Sequence, residues 1–106
     1  MDPANEELFR ERARIIKAMA HPSRLFIVDR LSKRDYCVNE LAEMIGVDIS
    51  TVSKHLSVLK NAGLVRDEKE GQKVFYRLSV PCVLNFFSCV EAVISSQAKG
   101  RVSSRG

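Results

Sequence analysis

The three cysteines, Cys37, Cys82 and Cys89, are the most reactive side chains of this sequence. Thiolates are nucleophiles and ligands for soft metals, and an odd number of cysteines fits a reducing compartment better than a disulfide scaffold. Cys82 and Cys89 are seven residues apart, so in a helix they share a face but are separated by ~10 Å of rise. One ion at ~2.3 Å from each sulfur cannot span that distance, and no disulfide forms within one regular helix. To act together they need a helix break near Pro81, a partner subunit or Cys37.

The two later cysteines have different sequence surroundings. Cys82 lies near the predicted start of a helix, where the helix dipole favours the reactive thiolate. Cys89 has apolar neighbours in sequence, where cysteine commonly serves as a small packing residue. These neighbours are Phe86, Phe87, Val90 and Val93. Three interpretations stay open: inert thiols, ligands for a soft thiophilic species, or a redox or reactive-sulfur switch.

A second set of chemically useful side chains follows Asp48. The outward positions of the predicted helix carry hydroxyls and two ammonium groups: Ser50, Thr51, Ser53, Lys54, Ser57 and Lys60. Short hydroxyls allow a close approach to DNA and can bond bases or phosphates, whereas lysines neutralise phosphate charge. His55 is a further candidate for DNA contact, although the spacing lets it point either way. The alternative interpretation is a solvated helix face.

Apolar spacing predicts the helices that position these residues. Helical periodicity runs over residues 6–19, and a second helix begins at Pro22, whose fixed φ suits a first turn. A short helix over about 39–45 ends at Gly46, and Asp48 is a good N-cap for the next helix. In that next helix the apolar residues repeat at helical spacing: Ile49, Val52, Leu56 and Leu59. Two short helices joined by a tight glycine-containing turn are typical of a helix-turn-helix.

A β-hairpin is predicted directly after the helix-turn-helix. Residues 64–66 and 74–78 are rich in β-branched and aromatic side chains, and the polar link 67–73 contains a glycine. A charged hairpin in this place is a wing. The expected contacts to the minor groove or the flanking backbone are Lys69, Gln72 and Lys73. Glu68 and Glu70 oppose that role, so a solvated charged turn is the alternative.

A last helix is predicted from Val80-Pro81 to about Gln97. Its first half is apolar nearly all round, which predicts burial on both sides. In so small a domain one side would face the core of the same chain and the other a second subunit. Residues 98–106 are basic and poor in apolar side chains, and we expect them to fray.

Length and composition restrict the classes of protein that fit. A chain of 106 residues allows one domain, 1–106, with a modest core, and a formal net charge of +4 suits a polyanionic partner. No apolar run approaches the ~20 residues of a membrane span, and the acidic N-terminus lacks the apolar region of a signal peptide. We therefore expect a cytoplasmic protein that binds no membrane. An enzyme is disfavoured because neither a glycine-rich phosphate loop nor a run of metal ligands is present. A winged helix that has lost DNA binding and contacts only protein is another alternative. An acidic recognition helix would favour it, whereas the predicted helix is rich in hydroxyls and basic.

The chain resembles the ArsR/SmtB family of bacterial and archaeal repressors over residues 8–93. Four stretches carry the resemblance: KAMAHPSRL at 17–25, NELA at 39–42, STVSKHLSVLKNAGLV at 50–65 and GQKVFYRL at 71–78. The resemblance implies a mainly α winged helix-turn-helix of order α-α-α-α-β-β-α, with a homodimer built on the first and last helices. It also implies that the dimer binds double-stranded DNA at a palindromic operator and is released by an effector.

Metal ions, arsenite or antimonite, and reactive sulfur or oxidant species are the effectors that the resemblance implies. Similar arsenic-, lead- and cadmium-responsive repressors carry CVCDL at the start of the third helix, where this chain has CVNEL at 37–41. Cys37 matches the first sulfur, but Asn39 replaces the second, which excludes a thiolate pair from that helix alone. Zinc-responsive members have Asp and His ligands on the last helix, yet no histidine follows His55.

The expected inducer is therefore a soft species that reacts with thiols. No cofactor is required for DNA binding, and arsenite or another soft metal ion is the leading candidate for the inducer. The residues predicted to sense it are Cys37, Cys82 and Cys89. A redox or reactive-sulfur sensor using the same cysteines, and a repressor without cysteine-based sensing, are the alternatives.

Overall fold

The computed structural model describes residues 1–105, and the side chains of residues 1–99. Over this range the chain forms five helices and three short strands. Their bounds are α1 Pro3–Met19, α2 Pro22–Leu31, β1 Tyr36–Cys37, α3 Val38–Ile45, α4 Ile49–Asn61, β2 Val65–Glu70, β3 Lys73–Leu78 and α5 Val83–Arg105. This arrangement confirms the predicted winged helix-turn-helix and adds the strand β1, which was not predicted.

Helices α1 and α2 begin where a side chain caps a free N–H group of the first turn. Asp2 accepts a hydrogen bond from the Asn5 N–H at 3.0 Å, and Pro3 occupies the first helical position. His21 caps α2, because its Nδ1 accepts the Ser23 N–H at 3.0 Å. The cap at His21 therefore lets α2 begin after a break of only two residues, Ala20 and His21.

The turn of the helix-turn-helix depends on one glycine. Gly46 ends α3 with a φ of 84°, in the left-handed region that favours glycine, and its N–H donates to the Ala42 carbonyl at 2.8 Å. Asp48 then returns to extended backbone, with φ −72° and ψ 159°, and α4 begins at the next residue. The local sequence thus fixes the start of α4.

The three strands form one antiparallel sheet in the order β1-β3-β2. Strand β3 is central: Tyr76 is opposite Tyr36 of β1, while Leu78 is opposite Val65 of β2. The hairpin turn is Gly71-Gln72, and the φ of 65° at Gly71 suits the first central position of a II′ turn. The predicted link of residues 67–73 is therefore too long. Its first four residues belong to β2, because pairing with β3 outweighs the low strand propensity of charged residues.

One apolar core joins the helices to the base of the sheet. The fully buried large side chains are Ile27, Val28, Leu41, Val52, Leu56 and Leu59. Val65 and Leu78 extend this core into the sheet, and Val83 adds the start of α5. The core therefore holds α4 firmly against α2, α3 and β2.

Helix α5 differs from its prediction in its bounds. It begins at Val83 rather than Val80-Pro81, because 80–82 form a turn in which the Val83 N–H donates to the Val80 carbonyl at 3.1 Å. It extends past Gln97 to Arg105. One side of α5 faces the core through Val83 and Phe87. The side that the prediction assigned to a second subunit is exposed in the single chain, with the apolar residues Phe86, Val90, Val93 and Ile94, and its burial stays a prediction. The predicted fraying of 98–106 stays a prediction. The helix continues over 98–105, and Gly106 lies outside the described residues.

Among the helices of residues 1–105, none is long and apolar enough to cross a membrane.

Candidate nucleic-acid interface and thiol positions

Helix α4 presents one apolar and one polar side. Val52, Leu56 and Leu59 are buried at helical spacing, which places α4 on the core. Of the predicted DNA-contacting residues in this helix, Ser50, Lys54, Ser57 and Lys60 are exposed, while Thr51, Ser53 and His55 are half-buried. The polar side therefore forms a ridge along α4 that is free for contact with another molecule.

The first turn of α4 is organised by Asp48. The Thr51 hydroxyl donates to Asp48 Oδ1 at 2.5 Å, and the Ser50 hydroxyl donates to Oδ2. These bonds, from Ser50 first and Thr51 second, lower the pKa of Asp48 to about 2, so the carboxylate is charged at neutral pH. Since each hydroxyl has one proton to donate, Ser50 and Thr51 keep only acceptor capacity for a further partner.

The two lysines of α4 have different charge environments. Lys54 is exposed on the polar ridge. Lys60 donates to Asp67 Oδ2 at 3.0 Å, and this hydrogen bond lowers the pKa of Asp67. The Lys60 charge is therefore already partly compensated, and the ion pair connects the end of α4 to β2. Sequence reasoning missed the pair because the two residues are in different elements.

His55 points toward α2 and not outward along the ridge. Its Nδ1 accepts the Arg24 Nε–H at 3.1 Å, and its ring centroid is 4.5 Å from that of His21. Burial, followed by the neighbouring His21 and Arg24 charges, lowers the pKa of His55. Arg24 also donates to the Ala18 carbonyl at 3.3 Å. Contact between His55 and DNA stays a prediction, whereas its contact with α2 is a clear feature of the fold.

The predicted wing residues do not share one surface. Directly opposed residues of an antiparallel pair lie on the same face, and the faces alternate along each strand. Lys69 is on the face of Val65 and Asp67, toward α4, whereas Lys73 is opposite Glu70 on the other face. Gln72 occupies the two-residue turn at the tip. A nucleic acid at the wing would therefore meet the two lysines from different sides.

The acidic residues of the wing are largely neutralised within the protein. Arg77 of β3 lies 3.2 Å from a carboxylate oxygen of Glu68 and donates to Asp35 Oδ2 at 2.6 Å. The Asp35 hydrogen bond, and then the charges of Asp35 and Glu68, raise the pKa of Arg77. Asp67 is paired with Lys60 as described above. The repulsion expected between Glu68 and a phosphate backbone is accordingly weakened.

Cys37 lies at the junction between the sheet and the helix-turn-helix. It is the last residue of β1, opposite Phe75, and the N-cap residue of α3. Its backbone N–H donates to Glu40 Oε1 at 3.0 Å; this bond first, and Arg34 second, lower the pKa of Glu40 to about 2. The half-buried thiol lines a groove of about 410 Å³ that also includes Lys73 of the wing.

Cys82 and Cys89 are both exposed, and all three thiols are free. Cys82 is in the turn just before α5, close to its predicted position. Cys89 does not pack within the single chain, where it is exposed, so the packing interpretation would need a second subunit. Among the described residues of one chain, no group of three His, Cys, Asp or Glu side chains is placed to hold a metal ion.

Comparison with known proteins places this geometry in a known class. The family described as "Bacterial regulatory protein, arsR family" matches residues 21–67. A relative from Mycobacterium tuberculosis, an uncharacterized HTH-type transcriptional regulator, is 30% identical over 100 residues, covering 93% of this chain and 88% of the relative. The biofilm growth-associated repressor of Xylella fastidiosa is 30% identical over 94 residues, 89% of this chain and 82% of the repressor.

A solved structure extends the similarity to three dimensions. The homodimeric winged helix-turn-helix DNA-binding domain Mb0332 from Mycobacterium bovis, a possible ArsR-family regulator, has a TM-score of 0.79 and 30% identity. The match covers 94% of this chain and 93% of that domain. Sequence and fold agree along nearly the whole length, so the chain belongs to the arsR family of bacterial regulatory proteins.

Proposed function

We propose that this protein is a transcriptional repressor that binds a palindromic DNA operator as a homodimer and is released by a thiol-reactive effector, arsenite or another soft metal or metalloid. The observation that carries the DNA-binding role is the ridge of hydroxyls and Lys54 along α4. A major groove admits an α-helix, whose first turns reach the base edges. The ridge carries no carboxylate beyond Asp48, whose oxygens are already bonded to Ser50 and Thr51.

The wing adds positive charge beside α4. Lys69 is exposed on the α4 side of the hairpin, and the neighbouring Asp67 is paired with Lys60. Lysines that neutralise phosphates release counterions and make the affinity depend on salt. The expected interface therefore consists of base contacts from the first turns of α4 and phosphate contacts from Lys54 and the wing.

Homodimer formation is supported by an apolar surface on α1 and α5. On α1 the exposed apolar side chains are Leu8, Phe9 and Ile16, and on α5 they are Phe86, Val90, Val93 and Ile94. A groove of about 500 Å³ between α1, α2 and α5 continues this surface. An exposed patch of this extent marks an interaction site, and a small domain gains stability by pairing. Two-fold pairing would present two α4 helices, which matches a palindromic site.

Fluorescence anisotropy with a labelled duplex from the protein's own upstream region tests the DNA-binding role. Lys54→Ala is expected to weaken binding and to reduce the salt dependence by about one phosphate contact per protomer. Lys33→Ala is the matched control, because Lys33 is exposed in the loop after α2 and outside the proposed interface. Equal effects of the two variants would contradict an interface on α4, and no specific binding by the wild type would rule out the repressor.

The effector is proposed from the chemistry of the thiols. Cys82 and Cys89 are exposed, and Cys37 is half-buried at the point where β1 meets α3. Because no three-ligand group is assembled within one described chain, binding of a soft ion would need thiols from both subunits or a rearrangement around Cys37. The groove beside Cys37 is bounded by α3 and the wing, so an adduct there would act on both parts of the DNA interface.

Titration of the reduced protein–DNA complex identifies the effector. Arsenite is expected to release the DNA, and Cys→Ser variants at each position should show which sulfurs are needed. Release only by peroxide or persulfide would identify a redox or reactive-sulfur sensor instead. If the affinity persists under every ligand, cysteine-based sensing is excluded while the repressor function stands.

A further inference from the structure

Two exposed aliphatic side chains flank Asp48 where the chain enters α4. Val47 exposes 38% of its surface and Ile49 exposes 49%. The other exposed residues of α4 are all polar: Ser50, Lys54, Ser57, Lys60 and Asn61. Ile49 follows the helical spacing of the buried Val52 and Leu56, but at the start of the helix it is exposed. An apolar group is therefore offered to a partner there, beside the polar ridge.

The position of Ile49 at the start of α4 leaves its side chain accessible to a molecule that approaches this end of the helix. It is the first residue of the helix, and Cα–Cβ bonds in a helix tilt toward the N-terminus, so its side chain extends past the beginning of the helix. Asp48 holds this turn in place by accepting from Ser50 and Thr51. In a recognition helix, the N-terminal residues are the ones that contact base edges. An anchored aliphatic group at this place is suited to reading a base.

The apolar feature that bases present in the major groove is the C5-methyl group of thymine. Hydroxyls and ammonium groups find hydrogen-bonding partners at the other base edges, whereas an aliphatic side chain discriminates by apolar contact. We propose that Ile49, flanked by Val47, determines operator specificity by packing on the C5-methyl group of one thymine in each half-site. This inference rests on the proposed DNA-binding function and adds a base identity to it.

Removal of single methyl groups from the DNA tests this contact. A binding site is first selected from random duplexes with the full-length protein, and each thymine is then replaced in turn by deoxyuridine, which lacks only the C5-methyl. For the wild type, one position per half-site is expected to lose about fourfold in affinity, the equivalent of one buried methyl group. For Ile49→Ala, the same replacement should cause no further loss. Ile49→Val keeps a branched aliphatic group and should retain most of the effect.

Met44→Ala is the matched control, because Met44 is an apolar side chain of similar exposure, 41%, on α3. This variant should keep the full sensitivity to the methyl group. The inference is overturned if no thymine of the wild-type complex is sensitive to methyl removal, a result that needs no variant to fold. It is also overturned if Ile49→Ala weakens all sites equally and leaves the sensitivity intact. Failure of the proposed function is distinct, because the wild type would then select no site at all.

Discussion

The Nζ atom of Lys60 lies 3.0 Å from Oδ2 of Asp67, which joins the end of α4 to the first half of the wing. Both side chains are partly exposed, so the pair adds little to stability. The pair matters more for the charge of the proposed DNA interface, because Asp67 neutralises Lys60, which would otherwise be available to a phosphate. In the protein without DNA, a positive charge of α4 is therefore already paired with a negative charge of the wing.

Asp67→Asn is expected to tighten DNA binding. The change removes a negative charge from the wing and frees Lys60, so the salt dependence should become steeper by about one phosphate contact per protomer. Anisotropy titrations at several salt concentrations measure both quantities. Glu7→Gln makes the same change in net charge on α1 and should have a much smaller effect. Weaker binding by Asp67→Asn would mean that the ion pair matters chiefly for the placement of the wing.

The stability of the fold should decrease below pH about 6.5 because of His55. Its pKa is lowered from an ordinary 6.5 by burial beside His21 and Arg24. The unfolded chain therefore binds more protons than the folded one just below pH 6.5, and the free energy of unfolding falls as the pH falls through this region. Urea unfolding between pH 5 and 8 measures the slope. His55→Gln, which can still accept from Arg24, should flatten it; an unchanged slope would assign the effect to another group.

A second loss of stability is expected in acid through Glu40. Its pKa is lowered from 4.5 to about 2 by the Cys37 N–H and by Arg34. A depressed carboxyl pKa contributes stability that is present above pH about 4.5 and is lost as the pH falls toward 2. In urea unfolding, Glu40→Gln should have a lower free energy of unfolding than the wild type at neutral pH. The difference between the two free energies should shrink as the pH falls. A difference that does not depend on pH would show that the carboxylate charge is unimportant.

An aspartate on the exposed face of α5 should separate the proposed dimer. Ile94 is 59% exposed in the single chain, so Ile94→Asp leaves the core intact but would bury a charge in the dimer. Sedimentation is expected to show a monomer, circular dichroism an unchanged helical content, and anisotropy a DNA affinity that is largely lost. Met44→Asp, an equivalent change on α3, should remain dimeric. A dimeric Ile94→Asp would place the interface elsewhere.

Local signals made the helix-turn-helix predictable. Gly46 and Asp48 define the turn by backbone conformation, although the Asp48 carboxylate accepts from the Ser50 and Thr51 hydroxyls and not from the backbone N–H groups that were predicted. The buried stripe of α4 follows from its helical spacing. Neither signal depends on distant parts of the chain. The same logic placed Pro22 at the start of α2, and the glycine of the predicted link 67–73 lies in the hairpin turn.

Features that depend on distant contacts were not predictable. Strand β1 has only two residues and exists because Tyr36 and Cys37 pair with β3. The inward orientation of His55 depends on Arg24, 31 positions earlier in the chain. The composition of α5 predicted two apolar sides, and a contact of the exposed side with a second subunit lies beyond what a single chain can test.

The strand order of the sheet gives the charged wing another consequence. Strand β2 lies at an outer edge, and after Val65 its residues are all exposed and charged, in the sequence RDEKE. An exposed edge offers unpaired N–H and carbonyl groups to any other strand, and charged side chains there oppose edge-to-edge association. The charged residues of β2 thus also protect the edge of the hairpin from pairing with another strand, a role that is independent of any contact with DNA.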